Sequence, residues 1–175
     1  LSSDELPKDV DTLIVGSKKN LQETFMVLKS LGVKNIADPG NYQIHNIDIP
    51  SKNKEPKFLY GNSSFHYLKE GIDLVKQNPY SALVTGPICK KSWSVAGHKY
   101  SGQTEVLADS CGVKNVGMLF TAKSPITGWR FNTLLATTHI ALNDVSTNLS
   151  DDLIQSKLDL LLRFCNMYTE NPTLK

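Results

Sequence analysis

The chain has 175 residues, of which 40% are hydrophobic and 21% charged, values typical of one ordinary globular domain rather than of a disordered chain. Its 19 lysines and arginines and 17 aspartates and glutamates are well mixed, and the formal charge of +2 gives no electrostatic case for nucleic acid or an anionic membrane as partner. No apolar run approaches the roughly 20 residues that a membrane helix needs.

The first predicted elements are a strand and a helix. Residues 11–16 (DTLIVG) are typical of a strand that ends at Gly16. An apolar stripe of helical period follows, and Gly32 stands where the C-terminal cap of that helix is expected. The stripe consists of Leu21, Phe25, Leu28 and Leu31. Residues 38–57 are polar and rich in turn formers, and within them one short edge strand is predicted around residues 47–49.

A second helix and a buried strand come next. The helix is predicted to begin at Asn62 or Ser63, either of which can cap it. Its apolar stripe consists of Phe65, Leu68, Ile72 and Val75. Residues 81–87 (SALVTGP) are then predicted to form a buried strand.

The remaining elements are two strands between two helices. A short helix is predicted from residue 104 and is closed by Gly112, and strands are predicted at 115–122 and 131–139, with a hairpin turn at 124–129. Ser150, Asp151 and Asp152 are predicted to start the last helix, where the acidic side chains complement the helix dipole. The stripe of this helix consists of Ile154, Leu158, Leu161 and Cys165.

The order of these elements predicts the fold class. Strands and helices that alternate with short connections favour a three-layer α/β/α fold. Because residues 115–122 and 131–139 can pair as an antiparallel hairpin, the sheet is predicted to be mixed rather than purely parallel. No repeat or linker divides the sequence, so residues 1–175 are expected to form a single α/β region.

Two polar clusters follow predicted strand ends, where open α/β sheets collect their ligands. Residues 85–87 are followed by Lys90 and Lys91, and residues 137–139 end in His139. Both clusters are therefore expected to open onto one edge of the sheet. Lysines at such an edge can hold a phosphate or carboxylate as point charges. The alternative is that Lys90 and Lys91 form a solvated surface pair.

The segment SGQTE at residues 101–105 also has two interpretations. In the functional one, Gln103 and Thr104 lie at a helix N-terminus, where side-chain and backbone donors can meet an anionic ligand. In the structural one, the segment is a loop that leads into the helix, with Ser101 or Thr104 as the cap.

His139 is a candidate metal ligand or acid–base group. It follows the apolar run LLATT, where a buried strand is expected to emerge, and a neutral imidazole there can bind a metal or exchange a proton. The alternative is a purely structural histidine. Cys89, Cys111 and Cys165 are odd in number and far apart, with no CxxC spacing, and indicate reduced thiols in a cytoplasmic protein rather than disulfides or a zinc site.

Two longer segments carry a family resemblance. Residues 82–108 (ALVTGPICKKSWSVAGHKYSGQTEVLA) and 134–145 (LLATTHIALNDV) resemble the 4-hydroxythreonine-4-phosphate dehydrogenase family, PdxA, of vitamin B6 biosynthesis. That family typically reads A-L-V-T-(G/A)-P-x-x-K, then A-G-x-x-(Y/F)-x-G-(H/Q)-T-E-x-L-A, and later T-T-H-x-x-L-x-D. The order, the spacing and most letters match.

The resemblance implies a fold and an activity. The fold is an α/β/α fold similar to those of isocitrate and isopropylmalate dehydrogenases, in a homodimer whose site lies at the subunit interface. The family oxidises the secondary alcohol of 4-phosphohydroxy-L-threonine with NAD or NADP. The resulting β-keto acid loses carbon dioxide and gives 3-amino-2-oxopropyl phosphate. A divalent metal (Zn, Mg, Co or Mn) held by three histidines takes part.

The resemblance also assigns roles to individual residues. His139 matches the first metal ligand, and Lys90 matches the motif lysine, which we expect to be a catalytic residue that faces the substrate. Thr104 matches a substrate-binding residue. Gln103 occupies a substrate-contacting position that is histidine in many members; glutamine can still hydrogen-bond the substrate but cannot ionise. Asp144 is expected to orient the metal site through its carboxylate.

The resemblance covers the middle part of a family member. A preceding strand with its glycine-rich turn and a following G-L-N-P-H-A-G-E loop with the second metal histidine have no counterpart in residues 1–175. The sequence is therefore expected to be a fragment of a longer two-lobed dehydrogenase. Two alternatives are a family enzyme for another phosphorylated or cyclic β-hydroxy acid and a truncated, non-catalytic binding module.

Overall fold

The structure, a computed structural model, describes residues 10–78 and 81–168. The chain divides into two compact units, of which the first ends at Ser110 and the second begins at Cys111. Each unit has its own pair of strands. Among the described residues, no helix is both long enough and apolar enough to cross a membrane.

The first unit begins with a strand–helix–strand arrangement. Strands β1 (Leu13–Gly16) and β2 (Gln43–Asn46) are parallel, with Leu13 opposite Gln43 and Gly16 opposite Asn46. Helix α1 (Lys18–Ser30) lies between them in the chain, as a parallel pair requires a crossover. The rest of the unit contains α2 (Pro56–Gln77), α3 (Lys90–Val95) and α4 (Gln103–Cys111), whose last residue passes the unit boundary.

The predictions for β1 and α1 are confirmed. The Ser17 hydroxyl caps α1 by accepting a hydrogen bond from the Asn20 amide at 3.2 Å. Gly32 follows the helix with φ +73°, a left-handed conformation that glycine adopts without steric cost. The strand predicted around residues 47–49 is wrong in position, because β2 ends at Asn46 and only the Ile47 amide still reaches β1, at the Gly16 carbonyl (3.0 Å).

Helix α2 starts earlier than predicted. It begins at Pro56 rather than at Asn62 or Ser63. Proline suits the first helical position because the fixed φ is already helical and the missing N–H is not needed there. The predicted apolar stripe is confirmed as the inner face, and with Trp93 and Val106 its buried members Leu68 and Ile72 form the core of the unit.

The buried strand predicted at residues 81–87 is wrong. Residues 81–89 have no regular structure, and Val84 is 93% exposed. A strand needs a hydrogen-bonding neighbour, and within the described residues β1 and β2 pair only with each other. Leu83 and Ile88 nevertheless pack against the core, so the segment is anchored by its side chains rather than by a sheet.

The second unit is built on an antiparallel hairpin. Strands β3 (Leu119–Lys123) and β4 (Arg130–Leu134) place Leu119 opposite Leu134 and Lys123 opposite Arg130. The predicted hairpin is confirmed, although β3 begins later and β4 ends earlier than expected. Ser124 closes the turn: its amide donates to the Trp129 carbonyl at 2.8 Å.

Two helices end the described part of the second unit. A 3₁₀ turn at Leu142–Asp144 leads into the short α5 (Val145–Asn148), which is followed by α6 (Asp151–Tyr168). The predicted start of α6 is confirmed, since the Ser150 hydroxyl accepts a hydrogen bond from the Leu153 amide at 3.2 Å.

The protein is therefore an α/β protein, as predicted. Both strand directions expected for a mixed sheet occur among the described residues. They lie in two separate two-stranded sheets, the parallel one in the first unit and the antiparallel one in the second.

Candidate functional site

A side-chain hydrogen bond joins two of the sequence segments predicted to carry function. Nε2 of Gln103 donates to the carbonyl oxygen of Gly86 at 2.8 Å. Gln103 is the first residue of α4, and Gly86 lies in the irregular segment after Leu83. Residues 85–87 and the start of α4 are therefore neighbours, even though the expected strand between them is absent.

Lys90 lies beside the same helix terminus. It is the first residue of α3, and its side chain reaches across to the buried Gly102. A methyl group on the α-carbon of Gly102 would lie only 3.9 Å from Nζ of Lys90. An ammonium group and the N–H groups of a helix start both attract negative charge, and the first turn of α4 already contains one, the Glu105 carboxylate.

Thr104 is the half-buried second residue of α4. Because the helix begins at Gln103, the residue in the capping position is Gly102. The segment before Gln103 is a loop that leads into the helix, as the structural interpretation expects, although neither Ser101 nor Thr104 stands in the capping position. Lys90 and Lys91 are both exposed on α3, which is what the alternative of a solvated surface pair expects.

The loop that leads to α4 is held by aromatic and polar contacts. The ring of His98 stacks on that of Phe65, with ring centres 3.7 Å apart and planes 9° from parallel. Tyr100 donates a hydrogen bond from its hydroxyl to the Asp109 carboxylate at 2.8 Å. No sequence pattern predicts the stack, because Phe65 and His98 come from separate elements and meet only in the fold.

These contacts change the protonation of the loop residues. Burial of the imidazole lowers the pKa of His98, and the neighbouring His66, whose ring centre is 5.9 Å away, lowers it further. The hydrogen bond to the Asp109 carboxylate raises the pKa of Tyr100. Next to the motif lysine, a hydrogen bond from the Ser92 side chain lowers the pKa of the exposed Cys89 thiol.

His139 belongs to the second unit and has an unusual backbone. It is exposed, lies beyond the end of β4, and has φ +58°. Few residues other than glycine adopt this left-handed conformation, and residues held there cluster at functional sites. The sequence contained no signal for this conformation, because histidine at a strand end is compatible with ordinary extended geometry.

Asp144 closes the 3₁₀ turn that follows His139. Its backbone carbonyl accepts hydrogen bonds from the Thr147 hydroxyl at 2.9 Å and from the side-chain Nδ2 of Asn148 at 2.7 Å. Its carboxylate is exposed, as is the His139 ring, and neither group has a hydrogen bond or ion pair with the described part of the chain.

The described residues do not assemble a metal centre by themselves. Within residues 10–78 and 81–168, no three histidine, cysteine, aspartate or glutamate side chains are grouped so that they could hold a metal ion. A single imidazole is too few ligands for a catalytic metal, which takes about three from the protein. The described residues thus contain no complete ligand set.

Comparison with known proteins matches nearly the whole chain. The family model described as "Pyridoxal phosphate biosynthetic protein PdxA" matches residues 8–174. The 4-hydroxythreonine-4-phosphate dehydrogenase of Synechococcus sp. strain RCC307 is 39% identical over 170 residues, which are 95% of this chain and 51% of that protein. The enzyme of the same name from Nostoc sp. strain PCC 7120 is 39% identical over 165 residues, 90% of this chain and 46% of the relative.

A solved structure shows the same fold. The crystal structure of 4-hydroxythreonine-4-phosphate dehydrogenase from Klebsiella pneumoniae has a TM-score of 0.71 and 19% sequence identity, over 91% of this chain and 51% of the crystallised one. The chain spans about half the length of the curated relatives it matches. With a family match that includes all the motif residues, this chain belongs to the PdxA family of pyridoxal phosphate biosynthetic proteins.

Proposed function

We propose that this protein acts as an NAD- or NADP-dependent 4-hydroxythreonine-4-phosphate dehydrogenase in the biosynthesis of pyridoxal phosphate. The secondary alcohol of 4-phosphohydroxy-L-threonine gives a hydride to the nicotinamide and loses its hydroxyl proton. The β-keto acid then releases carbon dioxide and yields 3-amino-2-oxopropyl phosphate. Family membership and the names of the curated relatives support this activity.

The observation that carries the proposal is the position of Lys90 beside the N-terminus of α4. The substrate is an anion with a phosphate and a carboxylate, and both groups suit an ammonium next to free helix amides. We assign Lys90 as the catalytic-site residue that faces one of these groups.

Gln103 and Thr104 are assigned to substrate binding. Because Nε2 of Gln103 is used by the Gly86 carbonyl, its side-chain oxygen is the atom left to accept a hydrogen bond from the substrate. The amide cannot take up a proton, so Gln103 binds and orients rather than acting as a base. The Thr104 hydroxyl can both donate and accept.

His139 is assigned as one ligand of a divalent metal (Zn, Mg, Co or Mn), with Asp144 as a carboxylate that orients the ligand. The exposed, left-handed His139 supports a role other than packing. Further ligands have to come from outside the described residues. When bound, such a metal polarises the alcohol oxygen and the ketone formed from it.

The finer architecture also belongs to this proposal. We assign the chain to a three-layer α/β/α fold with a mixed sheet, similar to isocitrate and isopropylmalate dehydrogenases, in which residues 1–175 are a single α/β region of a longer two-lobed enzyme. The working form is a cytoplasmic homodimer. The likeness to the Klebsiella pneumoniae structure supports the general fold.

The test is an assay of the complete gene product with 4-phosphohydroxy-L-threonine, NAD or NADP, and each divalent metal in turn. Reduced nicotinamide should form, and Lys90→Met should raise KM at least about tenfold, as expected for a lost charge-assisted contact. Lys91→Met is the matched control and should behave as the unaltered protein.

No turnover with any combination of cofactor and metal rejects the proposal. Turnover only with a tetronate phosphate or a dihydrodiol carboxylate would reassign the substrate, and phosphate-ester binding without turnover would indicate a binding module.

A further inference from the structure

Glu105 has a buried carboxylate oxygen without a hydrogen-bond partner. It is the third residue of α4, and its Oε2 makes no hydrogen bond although the atom is shielded from solvent. Buried polar atoms are nearly always hydrogen-bonded, and an exception in a folded protein calls for an explanation.

The surroundings of this carboxylate oxygen indicate a role for it. A methyl group on the α-carbon of Gly102 would lie 3.2 Å from Oε2 of Glu105 and 3.9 Å from Nζ of Lys90. The carboxylate and the ammonium therefore flank the same glycine, yet they form no direct ion pair. Glu105 is half-buried and Lys90 is exposed. Their opposite charges attract, and without a direct pair the ammonium keeps its hydrogen-bond donors available.

We propose that Glu105 is a positioning residue for Lys90. Its carboxylate attracts the ammonium toward Gly102 and so directs it to the N-terminus of α4, where the anionic group of the substrate is expected. Glu105 itself does not contact the substrate, since a carboxylate beside a phosphate is repulsive. The inference rests on the proposed function, in which Lys90 faces a phosphorylated substrate.

The experiment compares the two possible effects of the Glu105 charge on anion binding. Inorganic phosphate is titrated into the complete gene product by calorimetry, with Glu105→Gln as the variant of nearly equal size. If Glu105 were only a nearby negative charge, its removal would strengthen phosphate binding. If it positions Lys90, the same change should weaken binding about five- to tenfold.

A second background isolates the contribution of Lys90. In Lys90→Met, adding Glu105→Gln should not weaken phosphate binding further, because the group that Glu105 directs is gone. Asp109→Asn is the matched control, because it removes a negative charge from the same helix, at a residue that is hydrogen-bonded to Tyr100. It should leave the coupling between Glu105 and Lys90 unchanged. Tighter binding in Glu105→Gln, equal losses in both backgrounds, or no phosphate binding at all would each overturn the inference.

Turnover separates this inference from the proposed function. If the protein binds phosphate with the expected coupling but does not oxidise 4-phosphohydroxy-L-threonine, the dehydrogenase proposal fails and the positioning role stands. If it is an active dehydrogenase in which Glu105→Gln leaves KM and phosphate binding unchanged, the positioning role fails and the dehydrogenase stands.

Discussion

Gln103 and Gly86 are joined by one hydrogen bond, 2.8 Å from the side-chain Nε2 to the carbonyl oxygen. It connects the first residue of α4 to an irregular segment with no sheet neighbour among the described residues. The bond therefore adds to the packing of Leu83 and Ile88 in holding this segment.

Gln103→Glu should break this connection, because a carboxylate cannot donate to a carbonyl oxygen and also adds negative charge near Lys90. We expect kcat/KM to fall about tenfold or more and the free energy of unfolding to fall by about 1 kcal/mol. Steady-state kinetics and urea unfolding of the complete gene product measure the two effects. The exposed neighbour Ser101, changed to Ala, is the control. Unaltered kinetics in Gln103→Glu would contradict the role of the bond.

Gly61→Ala should displace α3. A methyl group at Gly61 would lie 2.0 Å from the carbonyl oxygen of Ser92, so the two helices could not keep their distance. The expected loss is about 1–3 kcal/mol of unfolding free energy even after the gain in helix propensity. Gly71→Ala, in the same helix, is the matched control: its methyl group meets only the end of the Leu83 side chain, at 3.0 Å, which can move. Equal stabilities of the two variants would show that α2 and α3 are not in close contact.

Stability should decrease in mild acid because of His98. Its pKa is lowered below the ordinary 6.5, chiefly by burial, so between the lowered value and 6.5 the unfolded chain binds more protons than the folded one. The contribution of neutral His98 is therefore complete above about 6.5 and is lost as the pH falls toward the folded pKa. Urea unfolding across this range should give a steeper pH dependence for the unaltered protein than for His98→Phe, which retains an aromatic ring against Phe65. Parallel curves would exclude His98 as the cause.

His139→Ala should abolish NAD(P) reduction while the fold stays nearly intact, since the exposed imidazole contributes little packing. His139→Gly should also be inactive. Its free energy of unfolding should be about 1 kcal/mol higher than that of the unaltered protein, because glycine adopts φ +58° without strain. Asn35→Gly is the control: it relieves the other left-handed non-glycine residue in the described chain, at φ +56°, and should retain turnover. An active His139→Ala enzyme that is insensitive to a chelator would end the metal hypothesis.

Residues 1–175 expressed alone should self-associate. The β3–β4 hairpin exposes large apolar side chains, with Ile126 92% and Trp129 64% accessible. Light scattering over a range of concentrations should show species larger than a monomer, and Ile126→Thr together with Trp129→Thr should reduce them. A stable monomer at high concentration would favour an autonomous module instead.

The correct predictions from sequence were mostly local ones. Ser150 starts α6 through a hydrogen bond to a residue three positions later, and Gly32 follows α1 in a left-handed conformation. Such helix ends depend only on residues close in sequence, so they can be predicted from it. The α/β class and the hairpin followed from the same kind of periodicity.

The incorrect predictions depended on distant partners. Residues 81–87 have the composition of a strand, but composition cannot show whether a neighbouring strand exists. The start of α2 at Pro56 is not predicted, because Pro56 lies within residues 38–57, which have the composition of a polar loop. At the candidate site, the motif letters predict roles for Lys90 and Gln103, whereas the approach of Lys90 to Gly102 and the stack of His98 on Phe65 arise only in the folded chain.

Helix α2 contains none of the motif residues, yet three parts of the motif region rest on it. Gly61 lies against the backbone of α3, and Phe65 stacks on His98. Gly71 lies against the side chain of Leu83, in the segment before Gly86. The positions of the motif residues therefore depend on contacts with a helix that itself contains no motif residue. Substitutions in α2 can therefore change the rate of an enzyme whose motif residues are all intact.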